Sequence, residues 1–177
     1  VNLYTMIGYT RLLSELSKLV TRSRADGVSV CAHAKTRRVF RFADEAIHQD
    51  LVQESVTVTV KVIDDRRVGV AGTDTLEPER LARCLRSAAQ IAKHSPPQHD
   101  LPDLPRRHRL RTSDDYVPAT ARRTPAACVR SLKALFRICR GAGATLAGSL
   151  VTGEDEFAVV NSASTACYAA STVAGSG

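Results

Sequence analysis

Aromatic residues are scarce in this chain. Its 177 residues include no tryptophan, four tyrosines and four phenylalanines, so aromatics make up 5%. Proteins that bind single-stranded nucleic acid without sequence preference stack the bases on aromatic side chains placed among cationic ones. Outside Arg38–Phe42, the aromatics here are not interleaved with the arginines as stacking platforms would be. The composition therefore predicts that nucleic acid binds weakly and non-specifically at most.

Cysteine pairs with the spacing of a metal or redox site are also missing. The five cysteines are far apart and odd in number: Cys31, Cys84, Cys128, Cys139 and Cys167. Without a Cys-x-x-Cys pair, neither a zinc ribbon nor a thioredoxin-type site is supported. Four of the five fall on predicted core faces, where cysteine behaves as a small hydrophobe. We predict a reducing, cytoplasmic environment.

The histidines do not form a helical pair of metal ligands. His94 and His99 are five residues apart, but Pro96 and Pro97 between them would break a helix. Zinc hydrolases need three protein ligands and a carboxylate to handle the proton of the bound water. We therefore predict no catalytic, cofactor-binding or metal-binding residue in this chain. His48, at the start of a strand, is expected to be a hydrogen-bonded residue at a strand edge.

No apolar run is long enough for a signal peptide or a membrane span. The apolar positions of residues 1–20 are interrupted by Arg11, Glu15 and Lys18. This pattern predicts an amphipathic helix over about Tyr9–Ser23. The initial valine fits either an alternative start codon or a trimmed product.

Acidic residues are in the minority. With 18 Asp and Glu against 25 Lys and Arg, the formal charge is +7, which favours anionic partners. A basic run, Arg106–Arg111, lies in a proline-rich stretch and is expected to be a solvated linker. The glycines of Gly141–Thr145 follow a predicted helix and lack a Gly-Lys-Ser/Thr sequence, so they predict a helix stop and not a phosphate loop.

The first half of the chain predicts a sheet covered by a helix. Alternating residues predict strands at Val28–Ala32 and Arg38–Phe42, joined by a basic turn at residues 33–37. A hairpin follows, with strands Ser55–Ile63 and Val68–Gly72 around a polar turn. An apolar stripe predicts a helix over Pro78–His94. The expected first domain, residues 1–94, is α+β with an N-terminal helix and about four mostly antiparallel strands.

The second half predicts a connection and a further domain. Residues 95–123 are rich in proline and arginine and read as an extended connection, with Tyr116 as an anchor to a domain surface. Residues 124–177 predict a helix, with Thr124 as N-cap and Gly141 as stop, and an incomplete β-rich domain. Its predicted strands are Ala144–Thr152, Glu156–Asn161 and Thr165–Val173. Turns are predicted at residues 153–155 and at Asn161-Ser162.

The order and local sequence of these elements resemble the N-terminal region of the TldD/PmbA family, metallopeptidase-like proteins also called modulators of DNA gyrase. The segments that carry the resemblance are Phe42–Gln49, Arg67–Ala71, Leu81–Lys93, Ser95–Pro105, Ala147–Gly153 and Glu156–Ser162. It covers roughly Asp26 to Ser171. The family's metal-binding signature, His-Glu-x-x-x-His, lies downstream of this region in a full-length member and does not occur in this chain.

The resemblance implies a non-catalytic portion of a cytoplasmic zinc-dependent peptide hydrolase. Such a portion would serve as scaffold, as subunit contact and as a wall of the peptide channel, with zinc only in a full-length member. The implied partners are a homologous subunit or a missing C-terminal half. A peptide substrate could add as a strand to a sheet edge that the unfinished second sheet leaves open. No membrane partner is implied.

Two other hypotheses remain open at this point. The chain could be a binding module for nucleic acid or for a nucleic-acid enzyme, as the gyrase-modulator name and the positive charge suggest. It could also be a truncated, inactive remnant. A reading frame that continues past Gly177 into a His-Glu-x-x-x-His segment would favour the hydrolase, and an immediate stop codon would favour the remnant.

Overall fold

The computed structural model describes residues 6–106 and 115–177. Most of the Arg106–Arg111 run lies outside the described residues, as does His108. The elements in chain order are α1 (Tyr9–Thr21), β1 (Gly27–Ala43), β2 (Ala46–Asp64), β3 (Arg67–Thr73), α2 (Pro78–His94), α3 (Pro118–Ala121), α4 (Pro125–Gly141), β4 (Gly148–Asn161) and β5 (Ala166–Ser176). The predicted α+β class is confirmed.

The strands form one five-stranded sheet in the order β3-β2-β1-β4-β5. The predicted hairpin is confirmed: β2 and β3 pair antiparallel, from Val58 opposite Thr73 to Asp64 opposite Arg67. Asp65 and Arg66 at its turn have φ angles of 47° and 58°. Two successive left-handed residues match the twist of antiparallel strands and keep the connection to two residues.

The predicted turn at residues 33–37 is wrong. The chain continues through it as the single strand β1. The basic residues there are no obstacle to a strand, because long cationic side chains can reach partners beside the sheet. Arg37 does so: its Nη1 donates to the carbonyl oxygen of Glu154 at 3.0 Å, and its Nη2 pairs with the carboxylate of Asp155.

The predicted turn at residues 153–155 is also wrong, because β4 runs unbroken from Gly148 to Asn161. Gly153 serves a different purpose from a turn. A Cβ atom at this position would collide with the carbonyl oxygen of Thr36 and lie 2.9 Å from the side chain of Arg37. The glycine therefore allows β1 to approach β4 closely. β4 and β5 extend the common sheet instead of starting a second one.

Two compact units divide the described residues. Unit 1 takes residues 6–34, 55–106 and 156–169, and unit 2 takes residues 35–54, 115–155 and 170–177. Each therefore combines pieces from distant parts of the chain, whereas the predicted domains, residues 1–94 and 124–177, follow sequence order. The difference arises because the long strands contribute residues to both units. The alternating patterns in the sequence are shorter than these strands, so they do not reveal that one strand spans two units.

Among the described residues, a cluster of fifteen buried hydrophobic residues from α1, α2 and the sheet forms the core of unit 1. They include Leu12, Leu16 and Leu19 on α1, and Leu81 and Ala88 on α2. Gly69 of β3 sets the approach of α2, since a Cβ atom there would collide with the backbone at Ala88 and Ala92. The helix therefore packs directly on the backbone of the strand, as its predicted covering role requires.

Unit 2 has a core of five buried residues, in which α4 packs on β1: Phe40, Phe42, Cys128, Leu132 and Phe136. The rings of Phe42 and Phe136 meet edge to face with centroids 5.6 Å apart. The predicted N-cap of α4 is confirmed, since Thr124 Oγ1 accepts from the amide of Ala127 at 3.2 Å. The helix ends at Gly141 as predicted, but its C-cap is Ala142 and the left-handed residue beyond it is Gly143, with a φ angle of 69°. None of the helices in the described ranges is both long and apolar enough to cross a membrane.

Candidate functional site

A cavity of about 370 Å³ lies in unit 1 beside the proline-rich strap, which we define as residues 95–106. The strap contributes Leu101, Pro102, Asp103, Leu104 and Arg106 to its lining. The remaining lining residues come from the start of β1, from the β2–β3 turn and from the β4–β5 turn: Asp26, Gly27, Ile63, Arg66, Ser162 and Ala163. A segment predicted to be a plain connection thus forms one wall of a pocket.

One backbone amide and two arginine side chains hold the start of the strap on the β2–β3 turn. The amide of Gln98 donates to the carbonyl oxygen of Arg66 at 2.8 Å, and Arg66 Nε donates back to the carbonyl oxygen of Gln98 at 3.2 Å. Arg67 Nη1 donates to the carbonyl oxygen of Ser95 at 3.0 Å. These bonds satisfy strap carbonyls that proline-rich backbone cannot pair within itself.

Two buried side chains hold the end of the strap. The carbonyl oxygen of Pro105 accepts from Asn161 Nδ2 at 2.8 Å and from Thr165 Oγ1 at 2.6 Å. Asn161 Oδ1 accepts in turn from the amides of Ala163 and Thr165, both at 3.0 Å. The predicted turn at Asn161-Ser162 is confirmed, and the same asparagine also positions the strap, a contact that the sequence pattern did not indicate.

Gly27 lets the strap lie close to the sheet. A Cβ atom there would stand 3.1 Å from Leu104 Cδ1 and 3.3 Å from Ile63 Cβ, tighter than ordinary van der Waals contact. Sequence reasoning took the Asp26-Gly27 pair only as the approach to the first strand. The requirement for a small residue becomes visible only once Leu104 is brought beside it.

The polar groups of the pocket are two carboxylates, Asp26 and Asp103, and two guanidinium groups, Arg66 and Arg106. Asp26 Oδ2 accepts from the amide of Asp65 at 2.9 Å, and Ser162 Oγ accepts from the amide of Val28 at 3.0 Å. These bonds are structural, and a nucleophile beside a general base is not seen among the lining residues. The charged groups of the lining are therefore balanced in sign, and apolar side chains such as Ile63 and Leu104 lie among them.

Metal-ligating side chains do not gather in the described part of the chain, where no group of three or more His, Cys, Asp or Glu residues could hold an ion. His48 is exposed, and its Nε2 lies 3.1 Å from the carbonyl oxygen of Ala43, which is the hydrogen-bonded role expected of it. Tyr116 is the predicted anchor, since its hydroxyl donates to Glu154 Oε1 at 2.8 Å.

The cysteines are distributed between core and surface. Cys84 and Cys128 are buried, whereas Cys31, Cys139 and Cys167 are half-buried. Burial raises the pKa of the Cys31 and Cys84 thiols, because desolvation disfavours the thiolate. A raised pKa makes both thiols poor nucleophiles at neutral pH.

Glu156 is a buried charged residue with a structural role that the sequence analysis did not identify. Its side chain is buried, with 3% exposure, and its oxygens accept from the amides of Ile7 and Gly8 at 2.6 and 2.7 Å and from the Tyr168 hydroxyl at 2.7 Å. The carboxylate thus binds the N-terminal end of α1, where backbone amides and the helix dipole favour negative charge. The available signal was a glutamate at an inward position, in line with Ala158 and Val160 of β4.

Solved structures of other proteins have a fold similar to that of this chain. TldE from Thermococcus kodakarensis matches with a TM-score of 0.76 at 19% identity, over 92% of this chain and 36% of its own. A candidate modulator of DNA gyrase from Bacteroides thetaiotaomicron matches with a TM-score of 0.75 at 17% identity, over 94% of this chain and 40% of its own. A second candidate modulator of DNA gyrase, from Thermotoga maritima, matches with a TM-score of 0.72 at 14% identity, over 91% of this chain and 37% of its own.

No protein-family model and no curated protein matches the sequence. The structural neighbours confirm the resemblance to TldD/PmbA proteins at the level of the fold. The chain spans between 36% and 40% of the length of these neighbours.

Proposed function

We propose that this chain is a non-catalytic portion of a larger TldD/PmbA-type peptide hydrolase, in which it acts as scaffold and subunit contact. One observation carries the proposal: almost the whole chain adopts a fold that accounts for little more than a third of TldE. The remaining part of such a protein, or a homologous subunit, is the partner that the proposal implies. In this reading the strap pocket forms part of the wall along which a peptide substrate passes.

The described residues do not fit a zinc site, because their potential ligands do not come together in threes. We therefore assign no hydrolytic step to them. Zinc and the general base belong, in this proposal, to the part of a full-length protein that carries the His-Glu-x-x-x-His signature, and that protein would act in the cytoplasm.

Metal analysis and a peptide-cleavage assay on the purified chain test the first half of the proposal. We expect no stoichiometric zinc after dialysis against zinc-containing buffer and no cleavage. Zinc near one per chain, or turnover that His48→Ala abolishes, would overturn the non-catalytic reading.

The intact mass of the natural gene product tests the second half. We expect a product well above the 19.1 kDa of this chain, with zinc bound to the whole product. A natural product of 19.1 kDa without a stable partner would instead favour the inactive remnant.

A nucleic-acid or gyrase-associated module is the second candidate, favoured by the charge of +7 and by the description of two structural neighbours as candidate modulators of DNA gyrase. If cations alone bind DNA, affinity should be independent of sequence and fall steeply with salt. Alanine at Arg106, Arg107, Arg109 and Arg111 should then remove most of it. Salt-insensitive or sequence-selective binding by the wild-type chain would favour the gyrase-linked role over the scaffold.

A further inference from the structure

One edge of the sheet is left open by the fold. In the described part of the chain, β3 and β5 are the two edge strands. The chain itself covers part of β5, since the amide of Thr172 donates to the carbonyl oxygen of Asp115 at 3.0 Å and the amide of Val117 donates to Thr172 Oγ1 at 3.1 Å. Along β3 the situation is different. Within residues 6–106 and 115–177, its backbone makes no hydrogen bond to other backbone groups beyond the ladder with β2.

The register of the hairpin determines which groups of β3 are free. Asp64 pairs with Arg67 across a two-residue turn, and the closing pair of such a hairpin is hydrogen-bonded. Hydrogen-bonded and non-hydrogen-bonded pairs alternate along antiparallel strands. The N–H and C=O groups of Val68, Val70 and Gly72 therefore point away from β2, toward the open edge.

The sequence of β3 lacks the devices that keep edge strands apart. Natural edges are protected by lysine or another charged side chain, by proline or by a β-bulge. From Val68 to Gly72 the sequence is Val-Gly-Val-Ala-Gly, without a charge or a proline. Its pairing with β2 runs without a bulge from Thr73 to Arg67. Val70 is also 49% exposed. An edge built in this way is open to pairing with another strand.

Helix α2 adds an apolar side chain beside this edge. Arg80 and Ser87 line a cavity of about 390 Å³ together with residues 71–74, so this flank of α2 lies beside β3. Leu85, on the opposite flank, packs on the core cluster that contains the leucines of α1. Ile91 lies one helical turn beyond Ser87 and is 47% exposed. The flank of α2 at the open edge therefore carries an uncovered isoleucine.

The edge of β3 is complementary to the same edge of a second copy. In a twofold antiparallel pairing centred on Val70, the two Val70 residues lie opposite each other, and Val68 lies opposite Gly72 of the second copy. Each pair exchanges two N–H···O=C bonds, because all of these groups point outward. Arg67 then lies opposite Thr73, so like charges do not oppose each other along the strand. An unrelated strand would match this edge only by chance, whereas a second copy matches it by symmetry.

We propose that β3 is a dimerisation edge, at which two copies of this chain join their sheets into one continuous sheet. The two Val70 side chains meet on the face away from α2, because Gly69 is the residue that faces the helix. On the other face, α2 of the second copy covers Ile91. Backbone geometry and exposure within unit 1 carry this proposal, which goes beyond the proposed function. A monomeric chain would refute it and would leave the zinc and cleavage experiments unaffected.

Sedimentation velocity of the full chain over a concentration series tests the dimer. We expect a species of about twice 19.1 kDa that dissociates on dilution. Val70→Pro removes the outward N–H but no bond to β2, so it should raise the dissociation constant at least about tenfold. Val70→Thr is the matched control, because it keeps the N–H and a β-branched side chain. It should change the dissociation constant less than about threefold.

The apolar contact has a matched pair of variants of its own. Ile91→Ser should weaken the dimer about threefold or more, since it removes apolar surface that dimerisation buries. Ile138→Ser makes the same change on α4 in unit 2, at a position that is 68% exposed. It should leave the dissociation constant unchanged, because α4 takes no part in the proposed contact.

Amide hydrogen exchange followed by NMR at low and high protein concentration tests the pairing itself. The amides of Val68, Val70 and Gly72 should exchange at least about fivefold more slowly in the dimer. The amides of Gly69 and Ala71 point toward β2 and should be protected in both states. Association through any other surface would not produce this alternation along β3.

Three results would overturn the proposal. The first is a chain that stays monomeric at its highest soluble concentration. The second is a dimer that Val70→Pro and Val70→Thr weaken equally, which would show that the outward N–H has no part in association. The third is a dimer in which the amides of Val68 and Gly72 exchange as fast as in the monomer, which would assign the contact to another surface. Circular dichroism verifies that each variant is folded.

Discussion

Unit 1 and unit 2 share strands of one sheet but differ in how much they bury. Unit 1 encloses fifteen hydrophobic residues under two helices, whereas unit 2 encloses five under α4. Because local stability follows the amount of buried apolar contact, unit 1 should be the harder of the two to open. The comparison teaches that one set of long strands can support two cores of different size.

The helices that cover the two units sharpen this contrast. α2 and α4 both have 17 residues and both begin with proline. α2 has an acidic residue, Glu79, in its first turn and lies against the backbone at Gly69. α4 has no acidic residue and leaves Leu135 and Ile138 exposed. Both helices thus cover a core and leave a large apolar side chain exposed, such as Ile91 on α2, and they differ in the acidic residue that only α2 has.

Gly69→Ala should give the largest loss of stability. The added methyl would meet backbone atoms of α2, which cannot move without displacing the whole helix, so we expect a loss of about 3 kcal/mol. The matched change Gly141→Ala, at the end of α4, meets nothing within 4 Å and should change stability by no more than about 0.5 kcal/mol. Urea unfolding measures both, and similar losses at the two positions would refute the close packing of α2.

Glu156→Gln should cause the next largest loss of stability. An amide cannot accept all three of the hydrogen bonds from Ile7, Gly8 and Tyr168, and it loses the charge that favours the start of α1. We expect a loss of about 2 kcal/mol. In unit 2, Glu154→Gln affects one hydrogen bond, from Tyr116, and should cost about 0.5 kcal/mol. If the two variants unfold at the same urea concentration, Glu156 does not anchor α1.

Asparagine at the hairpin turns should slightly increase the free energy of unfolding. Asp44 and Asp65 have φ angles of 48° and 47°, in the left-handed region that asparagine tolerates better than aspartate. Asp44→Asn in unit 2 and Asp65→Asn in unit 1 should each stabilise the chain by a few tenths of a kcal/mol, about 0.3. Calorimetry should detect a rise in melting temperature, and a fall at either position would argue against a left-handed turn there.

The smallest effect concerns the exposed pair Glu45 and Arg140. The hydrogen bond from Arg140 lowers the pKa of Glu45, and Glu45 raises that of Arg140. A carboxyl whose pKa is lower in the folded state stabilises the fold above its unfolded pKa, and that contribution is lost as pH falls through the folded value. Arg140→Ala should return the NMR-titrated pKa of Glu45 to its ordinary range. An unchanged titration would show that the pair does not form in solution.

Much of the fold was predictable because local patterns determine it. The β2–β3 hairpin, α2 and the N-cap of α4 each follow from alternation, an apolar stripe or a capping residue within a short stretch. The continuity of β1 and β4 was not predictable, since Gly153 signals a turn locally and serves a close approach of Thr36 only in the folded chain. The strap pocket and the Glu156 anchor likewise join residues more than 50 positions apart.

Amide hydrogen exchange of the isolated chain tests the central comparison most directly, because both units contribute to the same strand β1. Residues 28–34 lie in unit 1 and residues 35–42 in unit 2. We predict that the amides of residues 28–34 exchange at least about tenfold more slowly than those of residues 35–42. Equal protection along the whole strand would contradict the account, since it would mean that the two units open together as one cooperative body.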